Sequence, residues 1–268
     1  MRHASLPMYN LPEMQADNAA FWQAIRTEAA RLGVTDLPAT LDFARKPVPA
    51  RIEAEVVFTQ ACGWPLQTIY AGQAALLGAP VYAAAHCHGP THAGVFVVRR
   101  GASFHAVADL RGCAFVFNSV HSNSGMNLPR RVIAELADGG AFFGSITETQ
   151  SQPANLERVA RGETDATCVD CVTYAFFAHH RPALADRLRV LDATPPTPAI
   201  PFVTAAATEA ATRDVLIAAL RRVAAAPEWA RVRAGMKLLD IRSPDEVDYQ
   251  IPCRYAAEAV MLGYPVLR

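Results

Sequence analysis

Short apolar runs alternate along most of the chain with stretches in which apolar residues recur every three or four positions, the two spacings that distinguish a buried strand from one face of a helix. The runs at residues 4–9, 55–59, 81–85, 94–98, 113–117, 145–149, 164–170, 188–191 and 202–206 predict strands. Helices are predicted at 12–32, where Phe21, Trp22, Ile25 and Ala29 share a face and Gly33 ends the pattern, and at 66–77, 126–137, 153–161 and 172–179. A Pro-rich link at 194–201 precedes a mainly helical remainder, 210–225, 227–234 and 245–262, the last broken at Pro252 into a kinked helix or two helices because proline removes a backbone donor. Strand, loop and helix in repeated succession predict an α/β architecture with largely parallel sheets. The order suggests two lobes, one from residues 1–93 and 202–268 and the other from 94–201. Two hinge crossings are expected, near Gly94 and Ile200.

A chain of 268 residues, 51% of them hydrophobic, can bury a substantial core. Its 25 basic residues balance 25 acidic ones, which argues against the broad positive face of a nucleic-acid binder. No apolar run reaches the length of a membrane span, so membrane insertion is not expected. The first residues lack the apolar core of a secretion signal, which by itself predicts a cytoplasmic protein. Six cysteines are too few for a disulfide scaffold, and the Cys168-x-x-Cys171 pair has neither a thioredoxin-like context nor a second pair for zinc.

In open α/β sheets, ligands sit beyond the carboxyl ends of the strands, where loops lead into helices. The most informative of these loops is residues 118–125, Asn-Ser-Val-His-Ser-Asn-Ser-Gly, between an apolar run and a helical pattern. Unpaired amides and partial positive charge at a helix start suit an anion, and Gly125 lets the backbone come close. The ordinary alternative is a serine-rich cap that only satisfies the helix. Other polar loops expected at the same edge carry Tyr9; Gln60, Cys62, Gly63 and Trp64; Gln152; and Asp170, which either caps the next helix or meets a ligand ammonium or hydroxyl. Together with Ser119, Ser122, Asn123 and Ser124, these are the candidate ligand-binding residues.

Catalytic signatures are missing: there is no nucleophile elbow, no Walker A loop, no G-x-G-x-x-G after a strand and no H-E-x-x-H. A set such as Ser124, His121 and Asp170 is one that any histidine-containing chain permits. No catalytic residue and no cofactor are therefore expected. His86, Cys87, His88 and His92 are metal-ligand types, but neighbours in extended chain point to opposite faces, so no metal site is assigned.

The segments Ala4-Ser5-Leu6-Pro7-Met8-Tyr9, Thr59 through Leu66, Asp109-Leu110-Arg111-Gly112 leading into the serine loop, and Gly162-Glu163-Thr164-Asp165-Ala166 leading to Asp170 carry a family resemblance. In order and over most of the chain, they resemble the phosphate/phosphite/phosphonate substrate-binding proteins of ABC transporters. The resemblance implies the type 2 periplasmic-binding-protein fold, two α/β lobes closing on a small anionic or zwitterionic ligand that is bound and not transformed. It implies that Ser119, Ser122, Asn123 and Ser124 grip the oxyanion, that Asp170 recognises the rest of the ligand, and that Tyr9 faces the cleft. It further implies an ABC permease as partner and a periplasmic location. Two other readings use the same fold: an enzyme acting on a pyrimidine or thiamine precursor, with His86 or His92 reactive, and a cytoplasmic ligand sensor.

Overall fold

The computed structural model describes residues 2–268; Met1, the first residue of the expected lobe, lies outside the described residues. Strands run His3–Ala4 (β1), Val56–Gln60 (β2), Ala74–Tyr82 (β3), Thr91–His92 (β4), Gly94–Arg99 (β5), Ala114–Phe117 (β6), Ser145–Glu148 (β7), Ala166–Asp170 (β8), Leu188–Ala193 (β9), Thr197–Pro198 (β10), Phe202–Ala205 (β11) and Leu238–Arg242 (β12). The α-helices are Gln15–Arg31 (α1), Gly63–Gln67 (α2), Leu128–Ala134 (α3), Gln152–Arg161 (α4), Cys171–His180 (α5), Pro182–Ala185 (α6), Ala210–Ala225 (α7), Ala230–Gly235 (α8) and Ile251–Met261 (α9).

These elements form two compact units. Unit 1 comprises Met1–Ala83, Cys87–Thr91 and Pro198–Tyr249, and unit 2 comprises Ala84–His86, His92–Thr197 and Gln250–Arg268. The last segment corrects the expected boundaries: residues 250–268 belong with the middle of the chain, and the chain makes a further crossing at 249–250. The physical reason is the packing of α9 on α3, where Arg131 Nε lies 2.5 Å from Glu258 Oε2 and Asn127 Nδ2 donates to the Pro252 carbonyl at 2.9 Å. The stretch 245–262 is broken into two pieces, a 3-10 turn at Pro244–Glu246 and α9, as one of the two expected alternatives has it; Pro252 occupies the first turn of α9, where its missing N–H costs no hydrogen bond.

Unit 1 holds a five-stranded sheet in the order β1-β2-β11-β3-β12, with β1 and β2 parallel and β11 antiparallel to both β2 and β3. Two elements differ from the sequence reading. The Ala-rich stretch predicted to be helical through residue 77 becomes the start of β3, because pairing with β11 and β12 overrides the helix preference of alanine. The short run at 238–242 becomes β12, an edge strand against β3.

Unit 2 holds a second five-stranded sheet, β7-β6-β8-β5-β9, in which β6 is parallel to β7 and β8 while β5 is antiparallel to β8 and β9. The carboxyl ends of β6, β7, β8 and β9 therefore share one edge with the beginning of β5, where Gly94 pairs with Asp170 and Val95 with Ala193. Beneath this edge, Phe96, Phe115, Ile133, Phe142 and Cys168 belong to one buried apolar cluster. Polar groups at the edge are thus set on a rigid floor.

The helices of unit 1 are tied by one buried carboxylate. Glu28 of α1, 1% exposed, accepts from Trp229 Nε1 at 2.9 Å and lies 2.5 Å from Arg31 and 3.4 Å from Arg222 of α7. Burial pulls its pKa up, but the Trp229 indole, Arg222 and Arg31 outweigh burial and hold the carboxyl below its ordinary value. A carboxyl depressed in the folded state stabilises it above the unfolded pKa of about 4.3, and this contribution is lost as pH falls through the folded value. Glu28→Gln is expected to lower unfolding free energy at neutral pH by about 2 kcal/mol. Urea titrations of both forms between neutral pH and about pH 3 should show a shallower acid dependence in the variant.

Candidate functional site

The edge of the unit 2 sheet collects the polar residues that the chain otherwise keeps apart. After β6 the loop 118–122 enters a wide turn at Asn123–Asn127, in which Asn127 N donates to the Ser122 carbonyl at 3.0 Å and Leu128 N to that of Asn123, and α3 follows without a break. Such i to i+5 turns open the start of a helix. Ser122 is a true cap, its Oγ accepting from Gly125 N at 3.0 Å. The ordinary capping reading is therefore correct for Ser122, but it does not exhaust the loop.

Each hydroxyl here is used as an acceptor by an N–H group of the protein. Ser119 Oγ accepts from His121 N at 3.2 Å, Ser124 Oγ from Gln152 Nε2 at 3.0 Å, and Thr197 Oγ1 from Asn123 Nδ2 at 3.3 Å. A hydroxyl that accepts from a group with no lone pair keeps its own proton to donate. The protons of Ser119, Ser122, Ser124 and Thr197 are thus available to an acceptor, and all four residues are buried. Asn123 N and Ser124 N begin the helical segment and have no intrahelical acceptor, so they add donors of the same sense. The result is a polar cup: four buried hydroxyls and two helix-start amides on one stretch of the sheet edge, all able to donate.

Two glycines make room for it. A Cβ at Gly125 would collide with Asn118 Oδ1 and crowd Ser122 Oγ at 3.1 Å, and one at Gly94 would stand 2.9 Å from Cys168 Sγ and 3.0 Å from the Ser124 carbonyl. The turn consequently rests directly on the sheet. Gln152, at the start of α4, ties the cup to β8: its Nε2 donates to Ser124 and its Oε1 accepts from Asp170 N at 2.9 Å.

Behind the cup lies a buried cation without a carboxylate. Arg130 is 6% exposed, and its guanidinium donates to Asn127 Oδ1 at 3.0 Å and to the Pro265 carbonyl at 2.5 Å. Among the described residues no Asp or Glu lies within ion-pair distance of it, and burial pulls its pKa down. From Arg130 the donors continue in one direction, Asn127 Nδ2 to Asn123 Oδ1 at 3.0 Å and Asn123 Nδ2 to Thr197. Arg130 is a functional candidate that the sequence reading missed, since a helical arginine ordinarily reads as a solvated surface charge.

Asp170 has a double role. Its Oδ1 accepts from Val172 N at 2.7 Å and Thr173 N at 3.4 Å, capping α5, while its Oδ2 lies 2.6 Å from His92 Nδ1. Burial acts to lower the His92 pKa, but the charge and close approach of Asp170, with a smaller contribution from Cys171, outweigh it and raise the value. His86 and His88, by contrast, are exposed. Among the described residues no three His, Cys, Asp or Glu side chains gather as a metal site. The Asp170 carboxylate faces His92 rather than His121, and Ser124 Oγ faces an amide, so the geometry does not assemble the set Ser124, His121 and Asp170.

The unit 1 candidates lie within their own unit. The Tyr9 ring meets Tyr82 edge-on at 5.4 Å, and Gln60 Nε2 donates to Tyr82 Oη at 3.5 Å. Cys62 is buried at the cap of α2, Gly63 begins that helix, and Trp64 beside them is half-buried. Tyr82 was missed because it sits inside a stretch that reads as core strand.

A search of curated proteins finds no match to the chain. Solved structures of similar fold include a binding-protein component of an ABC phosphonate transporter, PA3383 from Pseudomonas aeruginosa, 15% identical with a TM-score of 0.73 over 97% of this chain and 88% of that one. XAC2383 from Xanthomonas citri bound to chloride ion is 15% identical with a TM-score of 0.71 over 97% and 98% of the two chains. PhnD1 from Prochlorococcus marinus in complex with methylphosphonate is 12% identical with a TM-score of 0.69 over 96% and 97%. These likenesses establish the α/β, two-lobed binding-protein fold expected from the sequence. The family model described as "ABC transporter, phosphonate, periplasmic substrate-binding protein" matches residues 65–249, and the chain belongs to that family.

Proposed function

We propose that the protein binds a small phosphonate-like oxyanion in the cup of unit 2, leaves it chemically unchanged and serves an ABC permease from the periplasm. The observation that carries this reading is a group of buried hydroxyls with protons left to donate: Ser119, Ser122, Ser124 and Thr197 each accept an N–H of the protein and keep their own protons for an acceptor. Tetrahedral oxyanions present several acceptor oxygens and no obligatory donor, which is the complement of such a surface. Binding through hydroxyls and amides, with the nearest buried guanidinium held one layer back, favours orientation over bulk charge.

Simple binding also fits the roles of the reactive residue types. A serine nucleophile needs a base within hydrogen-bond reach, whereas Ser124 is held by the Gln152 amide. PhnD1 in complex with methylphosphonate and XAC2383 bound to chloride, both of similar fold, support an anionic occupant.

Titration with methylphosphonate, phosphite and phosphate, followed by thermal unfolding, tests the reading. At a hundredfold excess over Kd a true ligand stabilises by about 2.7 kcal/mol, seen as a raised Tm. A flat response to every oxyanion would sink the proposal. Ser124→Ala is expected to weaken binding about tenfold, the loss of roughly one charge-assisted hydrogen bond, with little change in stability. Gly125→Ala should both abolish the response and destabilise by about 1–3 kcal/mol through overpacking against Asn118, measured by urea unfolding.

A further inference from the structure

The carboxylate expected to recognise the remainder of the ligand is already occupied. Asp170 is 1% exposed, with two backbone amides on Oδ1 and His92 Nδ1 at 2.6 Å from Oδ2. Its partner His92 is also 1% exposed; Nδ1 is in close charge contact with Asp170 without the alignment of a hydrogen bond, and among the described residues Nε2 has no hydrogen-bond partner. A buried ring nitrogen left unpaired is uncommon and marks a place where a ligand or an ordered water completes the structure.

The pair adjoins the cup. Asp170 N is joined through Gln152 to Ser124 Oγ, and Gly94, two residues after His92, pairs with Asp170 and approaches the Ser124 carbonyl. We propose that His92, fixed by Asp170, is a specificity-determining residue of the oxyanion site: the pair cancels the carboxylate charge, offers the Nε2 hydrogen to the anion, and selects against ligands that carry an ammonium group. This rests on the oxyanion reading above and narrows it from anionic or zwitterionic ligands to simple anions.

The chemistry follows from the proton count. With Nδ1 2.6 Å from the Asp170 carboxylate, and so the nitrogen that carries hydrogen in either state, the imidazole presents Nε2 as a donor when protonated and as an acceptor when neutral. The carboxylate and the neighbouring Cys171 favour the protonated ring, and burial is the opposing influence. A protonated ring beside the cup attracts an oxyanion and repels an ammonium. An unpaired carboxylate in the same place would do the reverse.

Calorimetric titration at pH 7 with ethylphosphonate and 2-aminoethylphosphonate, which differ by the terminal ammonium, tests this on the unaltered protein. Ethylphosphonate is expected to bind at least tenfold more tightly. Equal affinity, or preference for the amino compound, overturns the inference while leaving the oxyanion reading intact. Failure of both phosphonates, and of phosphate and phosphite, overturns the oxyanion reading and this inference with it. In His92→Gln the neutral amide no longer cancels Asp170, so the ratio of the two affinities should move at least tenfold toward the amino compound. A purely structural role for His92 would weaken both ligands alike and leave the ratio unmoved, which also overturns the inference. Asp170→Asn, which removes the negative charge and keeps an acceptor oxygen for the α5 cap, gives a second measure: without the carboxylate, burial favours the neutral ring with Nε2 as an acceptor, so the preference for ethylphosphonate is expected to fall, and an unchanged ratio overturns the inference.

Discussion

A carboxylate taken out of water has to be neutralised or hydrogen-bonded where it stands, and Asp170 is the point at which unit 2 meets that requirement. Its oxygens are answered by the first turn of α5 and by His92, and its backbone amide by Gln152. Three segments distant in sequence are thereby held at the carboxyl edge of one sheet. Gln152 in turn holds Ser124, so the polar cup is tied to the same strand end as the carboxylate. The register of β5 on β8, which places Gly94 against Asp170, makes this closure possible because it brings the residues before β5 alongside the start of α5.

The cup shows how a site can be polar and buried without being costly. Each of its hydroxyls accepts an N–H of the protein in the absence of any ligand and keeps a proton that can turn to meet an acceptor. The same arrangement built from lysines would leave several charges to be desolvated together. The chain's even balance of acidic and basic residues agrees with recognition by direction rather than by net charge.

Much of this could be read from residue types and spacing. The stretch Asn118 to Gly125 announces itself because serine, asparagine and glycine between a strand and a helix have few structural uses, and anion binding is one of them. Asp170 is legible for the same reason, as an acid at a strand-to-helix junction. Its partner is not. His92 meets Asp170 through strand register, and the sequence shows it only as one of several histidines in a loop. The placement of residues 250–268 was equally hidden, since an amphipathic pattern declares that a helix buries one face and not which unit receives it. Alanines at the start of β3 misled in a different way: their local preference is for helix, and only the neighbouring strands overrule it.

Arg130 connects these points. Burying a guanidinium without a carboxylate is unfavourable unless its positive charge is spread, and here it is spread over the Pro265 carbonyl and a series of amides that begins at Asn127. Arg130 donates to Asn127, Asn127 to Asn123, and Asn123 to Thr197, whose proton is the last donor in the series. Aligned donors polarise one another, so the terminal hydroxyl is a better donor than an isolated threonine would be. The polarity of the series is set at its far end, because a guanidinium has no lone pair and can only donate. Asn127 must then accept from Arg130 and donate onward, and Asn123 must do the same. A single buried cation thus fixes the orientation of two amides and, through them, aims an N–H at Thr197 Oγ1, whose own proton is left to donate.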